Sequence, residues 1–415
     1  MAEECCTNGV CVSIFAMSSG YVDSSTVGFL ATWTGGDYYL YSQFSTEKHG
    51  FRLVRDVCSS LSKPFVFDVL GRVRTSNMLK VSQYFGNLGM RNALDMEFGA
   101  LDCSHAIAIS FEHDGKLEEK ELAYFQIALL HTTSNGERRV RVHNFSLPVT
   151  SLVANVYRYS SLEGSVNFLS KQSASQALSV PIKDIKAALQ KRVTRTLATY
   201  RKTCASSVAP GQLILPDPFK LLPLFLLSMM KSKPFQSNIS PDERLVYFHA
   251  LRTMSVEESR IWYYPNLFAL HMLLDEPDNA QKPPSPMRLL FSSLDSQGIF
   301  LLENGVYAYI WIGNSVLPQL LNQLFNVSDL AAVNVHATEL PPLNNKLSVK
   351  TRNLLGFLRS QRDDYVGLKI IRQGADPAES EFMGLFVEEQ NAGHPSHVDF
   401  LCQIHSEIQQ QYERK

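Results

Sequence analysis

The 415-residue sequence lacks the features that mark several common protein classes. Its most apolar stretch, 221–230, is about half as long as the roughly 20 residues that a membrane-spanning helix needs. The N-terminus is acidic and has no long apolar run, so a secretory signal peptide is not indicated. Charged residues make up only 19% of the chain, and Lys+Arg 39 against Asp+Glu 40 gives a net charge of −1. Because there is no overall basic excess, we expect no nucleic-acid partner.

Motifs for catalysis and metal binding are also missing. The seven cysteines include no CxxC pair, so a zinc ribbon, a thioredoxin-like site or a disulfide framework is not indicated. There is no phosphate-binding loop, dinucleotide fingerprint, HExxH zinc helix or GxSxG nucleophile elbow. We therefore predict that the protein is not an enzyme and uses no cofactor. A soluble enzyme without a recognisable motif stays an alternative.

Periodic patterns divide the chain into regions of different secondary structure. Residues 10–15 and 28–44 are rich in β-branched and aromatic side chains and predict strands, whereas 47–62 has helical apolar spacing. Between 65 and 150, five runs alternate with a period of two, and Asn135-Gly136 predicts a hairpin between the last two. From Ser151 the spacing becomes helical. After a proline-rich loop at 275–286, the order strand, strand, helix, helix, strand predicts an α+β unit.

A pair of arginines is the first candidate site. Arg72 and Arg74 are two positions apart on a predicted strand, so their side chains should leave the same face. Guanidinium groups bind carboxylates in a bidentate geometry, which suits an acidic peptide. An exposed pair of this kind is also compatible with an ordinary solvated surface, and that alternative stays open.

A basic segment is the second candidate site. Residues 151–235 carry twelve bases against three acids, although the whole chain is nearly neutral. The predicted helix 182–202 has basic residues opposite its apolar stripe, namely Lys183, Lys186, Lys191 and Arg195. We predict that this face is directed toward an anionic membrane surface, with a solvated helix as the alternative.

Many short motifs give the chain a resemblance to a known family. They are Thr34-Gly35-Gly36, Arg72-Val73-Arg74-Thr75-Ser76, DMEFGALD, LLHTTSNGERRVRVHNFSL, GQLILP, WYYPNL, RSQRDDY and VDFLCQIHSEI. In this order, over nearly the whole chain, they resemble the C-terminal part of the cargo-adaptor subunit of the COPII vesicle coat. The resemblance implies a multidomain α+β fold. Its parts are the remnant of an α/β trunk domain at 1–62, an antiparallel β-barrel or sandwich at 63–150, an all-helical domain at 151–255, a gelsolin-like α+β domain at 256–392, and a C-terminal helix at 393–415 that packs on the helical domain.

The same resemblance implies a function. Members of this family are non-enzymatic coat components that bind cytosolic sorting signals of cargo for transport from the endoplasmic reticulum to the Golgi. The implied partners are a GTPase-activating sister coat subunit, acidic cargo peptides and the anionic membrane surface. The implied location is the cytoplasm, peripheral on the endoplasmic-reticulum membrane and on COPII vesicles. Arg72 and Arg74 match the family's acidic-signal site, and the sister subunit itself is the alternative identity.

The sequence also departs from the family pattern. The family's zinc finger and most of its trunk domain do not occur in it, so we expect no zinc site. Met78 stands where the family commonly has a glycine, so we expect the local turn to differ. Whether the sequence is a fragment or a true short form stays open.

Overall fold

A computed structural model describes residues 1–207, 209, 211–275, 277, 283–391 and 393–413. The helices are α1 (Ala2–Thr7), α2 (Ser24–Thr34), α3 (Thr46–Ser62), α4 (Val153–Arg158), α5 (Leu162–Gln176), α6 (Ile182–Cys204), α7 (Leu222–Lys231), α8 (Pro241–Thr253), α9 (Val256–Tyr263), α10 (Pro318–Phe325), α11 (Lys346–Ser360), α12 (Glu379–Gly384) and α13 (His397–Glu413). The strands are β1 (Ile14–Ser18), β2 (Tyr38–Ser42), β3 (Phe65–Thr75), β4 (Leu79–Phe85), β5 (Gly89–Met90), β6 (Asp95–Asp102), β7 (Ala108–His113), β8 (Leu122–Thr133), β9 (Arg138–Pro148), β10 (Asn266–Ala269), β11 (Ile299–Glu303), β12 (Tyr307–Ile312) and β13 (Gly367–Arg372).

The chain forms two compact units. The first contains Met1–Phe44, Ser62–Ser259 and the C-terminal residues from Cys402, and the second contains Ser45–Leu61 and Arg260–Leu401. Both units combine helices with sheets, so the predicted multidomain α+β fold class is confirmed. The division of the sequence into five segments stays a prediction.

The first unit begins with helices and a two-stranded sheet, and here one prediction is wrong. Strands β1 and β2 pair in parallel, but 24–34 forms helix α2 where a strand was expected from residue 28 onward. The helix buries small residues at three- and four-residue steps, including Gly28, Ala31 and Thr34, and ends at Gly35 in a left-handed conformation with φ 80°. Tertiary packing of this small-residue face outweighs the strand preference of Phe29 and its neighbours.

Two antiparallel sheets follow and form a sandwich. The larger sheet has the strand order β5-β6-β3-β8-β9, and β4 pairs with β7 in the smaller one. Their facing side chains make a core that includes Val69, Val73, Met96 and Phe98. The described strands do not close into a barrel, so the sandwich is the correct one of the two predicted architectures. The predicted hairpin is present between β8 and β9, with Gly136 at φ 83°.

Helices α4 to α8, the start of α9 and most of α13 complete the first unit. Helix α6 buries a stripe at four-residue steps, namely Ile185, Leu189, Val193 and Leu197. Glu407 on α13 accepts hydrogen bonds from two α6 side chains, Gln190 Nε2 at 2.5 Å and Thr194 Oγ1 at 2.9 Å. The last helix is therefore attached to α6 by partly buried polar contacts.

The second unit is built on a four-stranded sheet in the order β10-β11-β12-β13, with β12 and β13 parallel. One face packs on helices α10 and α11 through a core that includes Leu301, Ile310 and Leu354. On the other face, Trp311 stacks on Phe382 of α12. Helix α3 belongs to this unit, and its Phe51 packs edge-on against the Tyr365 ring. Its Arg52 lies over the Tyr307 ring, whereas its apolar residues at 54 and 61 are exposed.

Candidate functional site

The two candidate arginines lie on β3, the central strand of the five-stranded sheet. Buried residues alternate with Arg72 and Arg74 along this strand, so both guanidinium groups leave the same face. The strand register places Arg72 opposite Asp95 on β6 and Arg74 opposite Gln126 on β8. The two arginines therefore share a face but have different neighbours.

Arg72 is held by an acid on the neighbouring strand. Its Nε and Nη2 atoms donate to the two carboxylate oxygens of Asp95, each at 2.5 Å, and Asn92 Nδ2 donates to the same carboxylate at 2.8 Å. The hydrogen bonds from Arg72 lower the pKa of Asp95, and the same pairing raises the pKa of Arg72. Because the Nε–H and Nη2–H groups already donate to Asp95, Arg72 offers few N–H groups to a further carboxylate.

Arg74 is exposed and belongs to a row of polar side chains that crosses three strands. Its Nη1 atom donates to Gln126 Oε1 at 3.0 Å, and Gln126 Nε2 donates to Asn144 Oδ1 on β9, also at 3.0 Å. Among the described residues Arg74 has no carboxylate partner. The row fixes the direction of the guanidinium and leaves part of it free for a ligand.

A shallow depression of about 510 Å³ lies beside this row. Its other lining residues are hydroxyl and aromatic side chains, namely Thr75, Ser76, Tyr124, Phe125, Phe145 and Ser146. A free guanidinium next to amide, hydroxyl and aromatic groups suits a carboxylate that has an apolar neighbour. The sequence analysis identified Arg74 but missed Gln126, Asn144 and Tyr124.

The basic residues of helix α6 are not equivalent. Lys183, Lys191 and Arg195 are exposed, whereas Lys186 is half-buried. Burial and the nearby charge of Arg244 lower the pKa of Lys186. Three of the four predicted residues are therefore accessible to an anionic surface, and the side chain of the fourth, Lys186, is only partly accessible.

A buried group of titratable residues was not predicted. The carboxylate of Asp102 accepts a hydrogen bond from Ser104 Oγ at 2.7 Å, lies 2.7 Å from His105 Nδ1, and has Lys63 Nζ at 3.5 Å. Burial opposes ionisation, but the hydrogen bond and charge of His105 and the charge of Lys63 hold the pKa of Asp102 well below its usual range. The Ser104 hydroxyl donates to the acid rather than to a histidine base, so the group is not arranged as a catalytic triad. We interpret it as a structural ion cluster.

None of the seven cysteines, all of which the structure describes, is assigned to a disulfide. Burial raises the pKa of Cys6 to about 11 and that of Cys11 to about 12, so both are protonated at neutral pH and are poor nucleophiles. In the part of the chain that the structure describes, no group of three or more His, Cys, Asp or Glu side chains is placed to hold a metal ion. Nor does any helix within the described ranges have the length and hydrophobicity to cross a membrane.

Four family models match successive parts of the chain. They are the Sec23/Sec24 trunk domain over 1–61, the Sec23/Sec24 beta-sandwich domain over 66–150, the Sec23/Sec24 helical domain over 162–261 and the gelsolin repeat over 280–355. Human protein transport protein Sec24D is 36% identical to the chain over 411 residues, which are 98% of it. The chain belongs to the Sec23/Sec24 family.

Other members of the Sec23/Sec24 family agree with this assignment. Human protein transport protein Sec24C is 35% identical over 413 residues, and the crystal structure of the human COPII-coat protein Sec24c superimposes with a TM-score of 0.92 at 34% identity over 99% of the chain. The chain covers 39% of Sec24D, 37% of Sec24C and 55% of the crystallised Sec24c chain. It thus spans about two fifths of the length of these curated relatives. The predicted family is confirmed, and the relatives favour Sec24 over its sister subunit.

Proposed function

We propose that this chain is a cargo-selecting component of the COPII coat that binds cytosolic sorting signals at the endoplasmic reticulum. The observation that carries the proposal is its superposition on the human COPII-coat protein Sec24c over 99% of the chain. The relatives named as protein transport proteins Sec24D and Sec24C support it. The proposal includes a non-enzymatic role, a location in the cytoplasm at the surface of the endoplasmic-reticulum membrane, and the sister coat subunit as a partner.

Affinity capture tests this function against an enzymatic one. The immobilised chain is incubated with cytosol and with synthetic cytosolic tails of cargo proteins. We expect it to retain the sister coat subunit or the tails, and we expect no turnover in hydrolase and transferase assays. A saturable turnover that a single Cys or His substitution abolishes would contradict the proposal.

Acidic sorting signals are proposed to bind at the Arg74 depression. Arg74 is the member of the predicted pair that has a free guanidinium edge, and Gln126 orients it. Arg72 is not assigned a direct contact with the peptide, because its Nε and Nη2 atoms already donate to Asp95. A carboxylate of the peptide would contact Arg74, and an adjacent apolar side chain would contact Tyr124.

Peptide titrations test the assignment to Arg74. A charge-assisted hydrogen bond contributes roughly 1.5–3 kcal/mol, so Arg74→Ala should weaken an acidic peptide at least about tenfold. Raised salt should weaken it as well. Arg158→Ala on α4 removes an exposed arginine elsewhere and should leave the affinity unchanged. If the Arg74 variant binds like the parent protein, Arg74 is only a solvated surface residue.

The exposed bases of α6 are proposed to contact anionic membrane in the assembled coat. Each base near a charged surface contributes about 1 kcal/mol, so three give weak binding that a coat multiplies through avidity. Replacing Lys183, Lys191 and Arg195 by Glu should reduce flotation with anionic liposomes and leave thermal stability unchanged. Lys186 is left in place because it is half-buried. Equal flotation of both forms would contradict the proposal.

A further inference from the structure

Strand β9 is an unusually open edge of the five-stranded sheet. All eleven residues from Arg138 to Pro148 are exposed, and the strand pairs only with β8 among the described strands. The backbone on its outer side therefore has no strand beside it. Unpaired edges of this length can accept a further strand, and proteins usually cover or shorten them.

Hydrogen bonds at the two ends of the hairpin show which backbone groups of β9 point away from β8 and are left unpaired by the sheet; we call these groups open. The N–H of Thr133 donates to the carbonyl of Glu137, and the N–H of Val149 donates to the carbonyl of Glu121. In an antiparallel pair, hydrogen-bonded and non-hydrogen-bonded residue pairs alternate. The register is regular over the whole hairpin, so the odd-numbered residues of β9 pair with β8. The open N–H groups belong to the even-numbered residues, which are Arg138, Val140, Val142, Asn144 and Ser146.

The side chains of β9 show what kind of segment fits this edge. Val140, Val142, Phe145 and Leu147 are 63%, 47%, 47% and 55% exposed, so the edge has apolar surface to cover. The strand contains three arginines and no acid. Arg138 pairs with Asp68 and Arg139 with Glu137, whereas Arg141 has no ion-pair partner among the described residues.

We propose that β9 binds an extended acidic peptide segment by β-strand addition. The open N–H and C=O groups would pair with the peptide backbone, as in other edge-strand complexes, and an acidic side chain of the peptide would lie opposite Arg141. A second copy of β9 is disfavoured as the occupant, because pairing two arginine-rich strands places like charges side by side. The β9 edge adjoins the Arg74 depression, which Asn144, Phe145 and Ser146 also line, but the proposal rests on the outward backbone groups of β9 and does not depend on a coat function.

Amide hydrogen exchange on the unmodified protein tests the geometry. The probe is a synthetic peptide of about nine residues in which glutamate alternates with valine, long enough to cover most of β9. We expect the amides of 138, 140, 142, 144 and 146 to exchange at least about tenfold more slowly with the peptide bound. The odd-numbered amides between them are already paired and should change little. Binding without this alternation would overturn the proposal, and so would the absence of binding.

A proline substitution tests the same edge by a second route. Proline is tolerated on an edge strand where its nitrogen faces outward, so Val142→Pro should keep the β8 pairing. It removes one outward N–H and blocks the approach of a strand, and we expect the affinity for the probe to fall about tenfold or more. Val142→Ala, which keeps the N–H, is the matched control and should retain most of the affinity. Protection of the odd-numbered amides checks that the proline variant is folded.

The charge of the probe tests the acidic part of the proposal. Arg141→Glu should weaken the glutamate peptide several-fold, and a peptide with lysine in place of glutamate should bind the parent protein far more weakly. If the lysine peptide binds as well as the glutamate peptide, or the proline variant binds as well as the parent, acidic strand addition at β9 is wrong. The arginines then only protect the edge from aggregation.

Discussion

The buried ion pair between Glu303 and Arg362 should be one of the most sensitive points of the second unit. Glu303 ends β11, and its side chain is 0% exposed, while that of Arg362 is 5% exposed. Arg362 donates from Nε and Nη2 to the two carboxylate oxygens at 3.1 and 3.0 Å, and the N–H of Gly305 donates to the same carboxylate at 2.7 Å. Removing one partner would leave the other as an uncompensated buried charge.

Two substitutions break this pair in opposite ways. Arg362→Met leaves the carboxylate without its cation, and Glu303→Gln leaves the guanidinium without its anion. Each should lower the free energy of unfolding by about 3–5 kcal/mol, the range for breaking a buried pair. The double variant should lose less than the sum of the two, because it removes both charges.

Hydrogen exchange of the β11 and β12 amides is the suitable assay. The chain has two compact units, so a single melting temperature does not report on this unit alone. The exposed pair of Lys80 on β4 and Asp114, with 54% and 60% exposed side chains, is the control in the first unit, and Lys80→Met should cause no measurable change in the exchange of the β4 and β7 amides. A loss below about 1 kcal/mol for both buried variants would refute the reasoning.

Three further predictions concern stability. Met78 has a left-handed backbone with φ 70°, which residues other than glycine rarely adopt. Met78→Gly should therefore raise the free energy of unfolding, measured by chemical denaturation, by about 1 kcal/mol. A lower free energy of unfolding would show that the contacts of the Met78 side chain outweigh the relief of backbone strain. The pKa of Asp102 is lowered in the folded state, so its contribution is present above its unfolded pKa of about 4 and is lost as the pH falls further. Asp102→Asn should therefore reduce stability at neutral pH and flatten the acid side of the pH profile, and an unchanged profile would contradict this. Ile404 on α13 is fully buried, so Ile404→Ala should cost about 2–5 kcal/mol, as measured by exchange of the α6 amides.

The β8–β9 hairpin shows how far sequence patterns reach. Asn135-Gly136 predicted the turn, and period-two alternation predicted both strands. A two-residue turn at these positions would pair residue 134 with 137 and place Phe145 opposite Gln126. The structure instead pairs Thr133 with Glu137 around a three-residue loop, which places Asn144 opposite Gln126. The polar row beside Arg74 depends on this one-residue difference, so the hairpin signal alone did not reveal it.

For a related reason, the sequence alone could not distinguish the roles of Arg72 and Arg74. The same-face position follows from strand periodicity and needs no tertiary information. Asp95, which accepts the hydrogen bonds of Arg72, is 23 residues away on β6. Only the register between β3 and β6 places the two residues side by side. Helix α2 likewise depends on packing of its small-residue face, which local strand preference cannot represent.

Selective binding of acidic sorting signals at Arg74 is the property on which the proposed function depends. The most direct measurement is an NMR titration that follows the side-chain amides of Gln126 and Asn144 and the Nε–H of Arg74. Two cytosolic-tail peptides are compared, one with its Asp and Glu residues and one with Asn and Gln in their place. We expect the acidic peptide to shift these three signals in a saturable manner and the neutral peptide to leave them unchanged. Equal shifts with both peptides, or no shift with either, would contradict the assignment of this site.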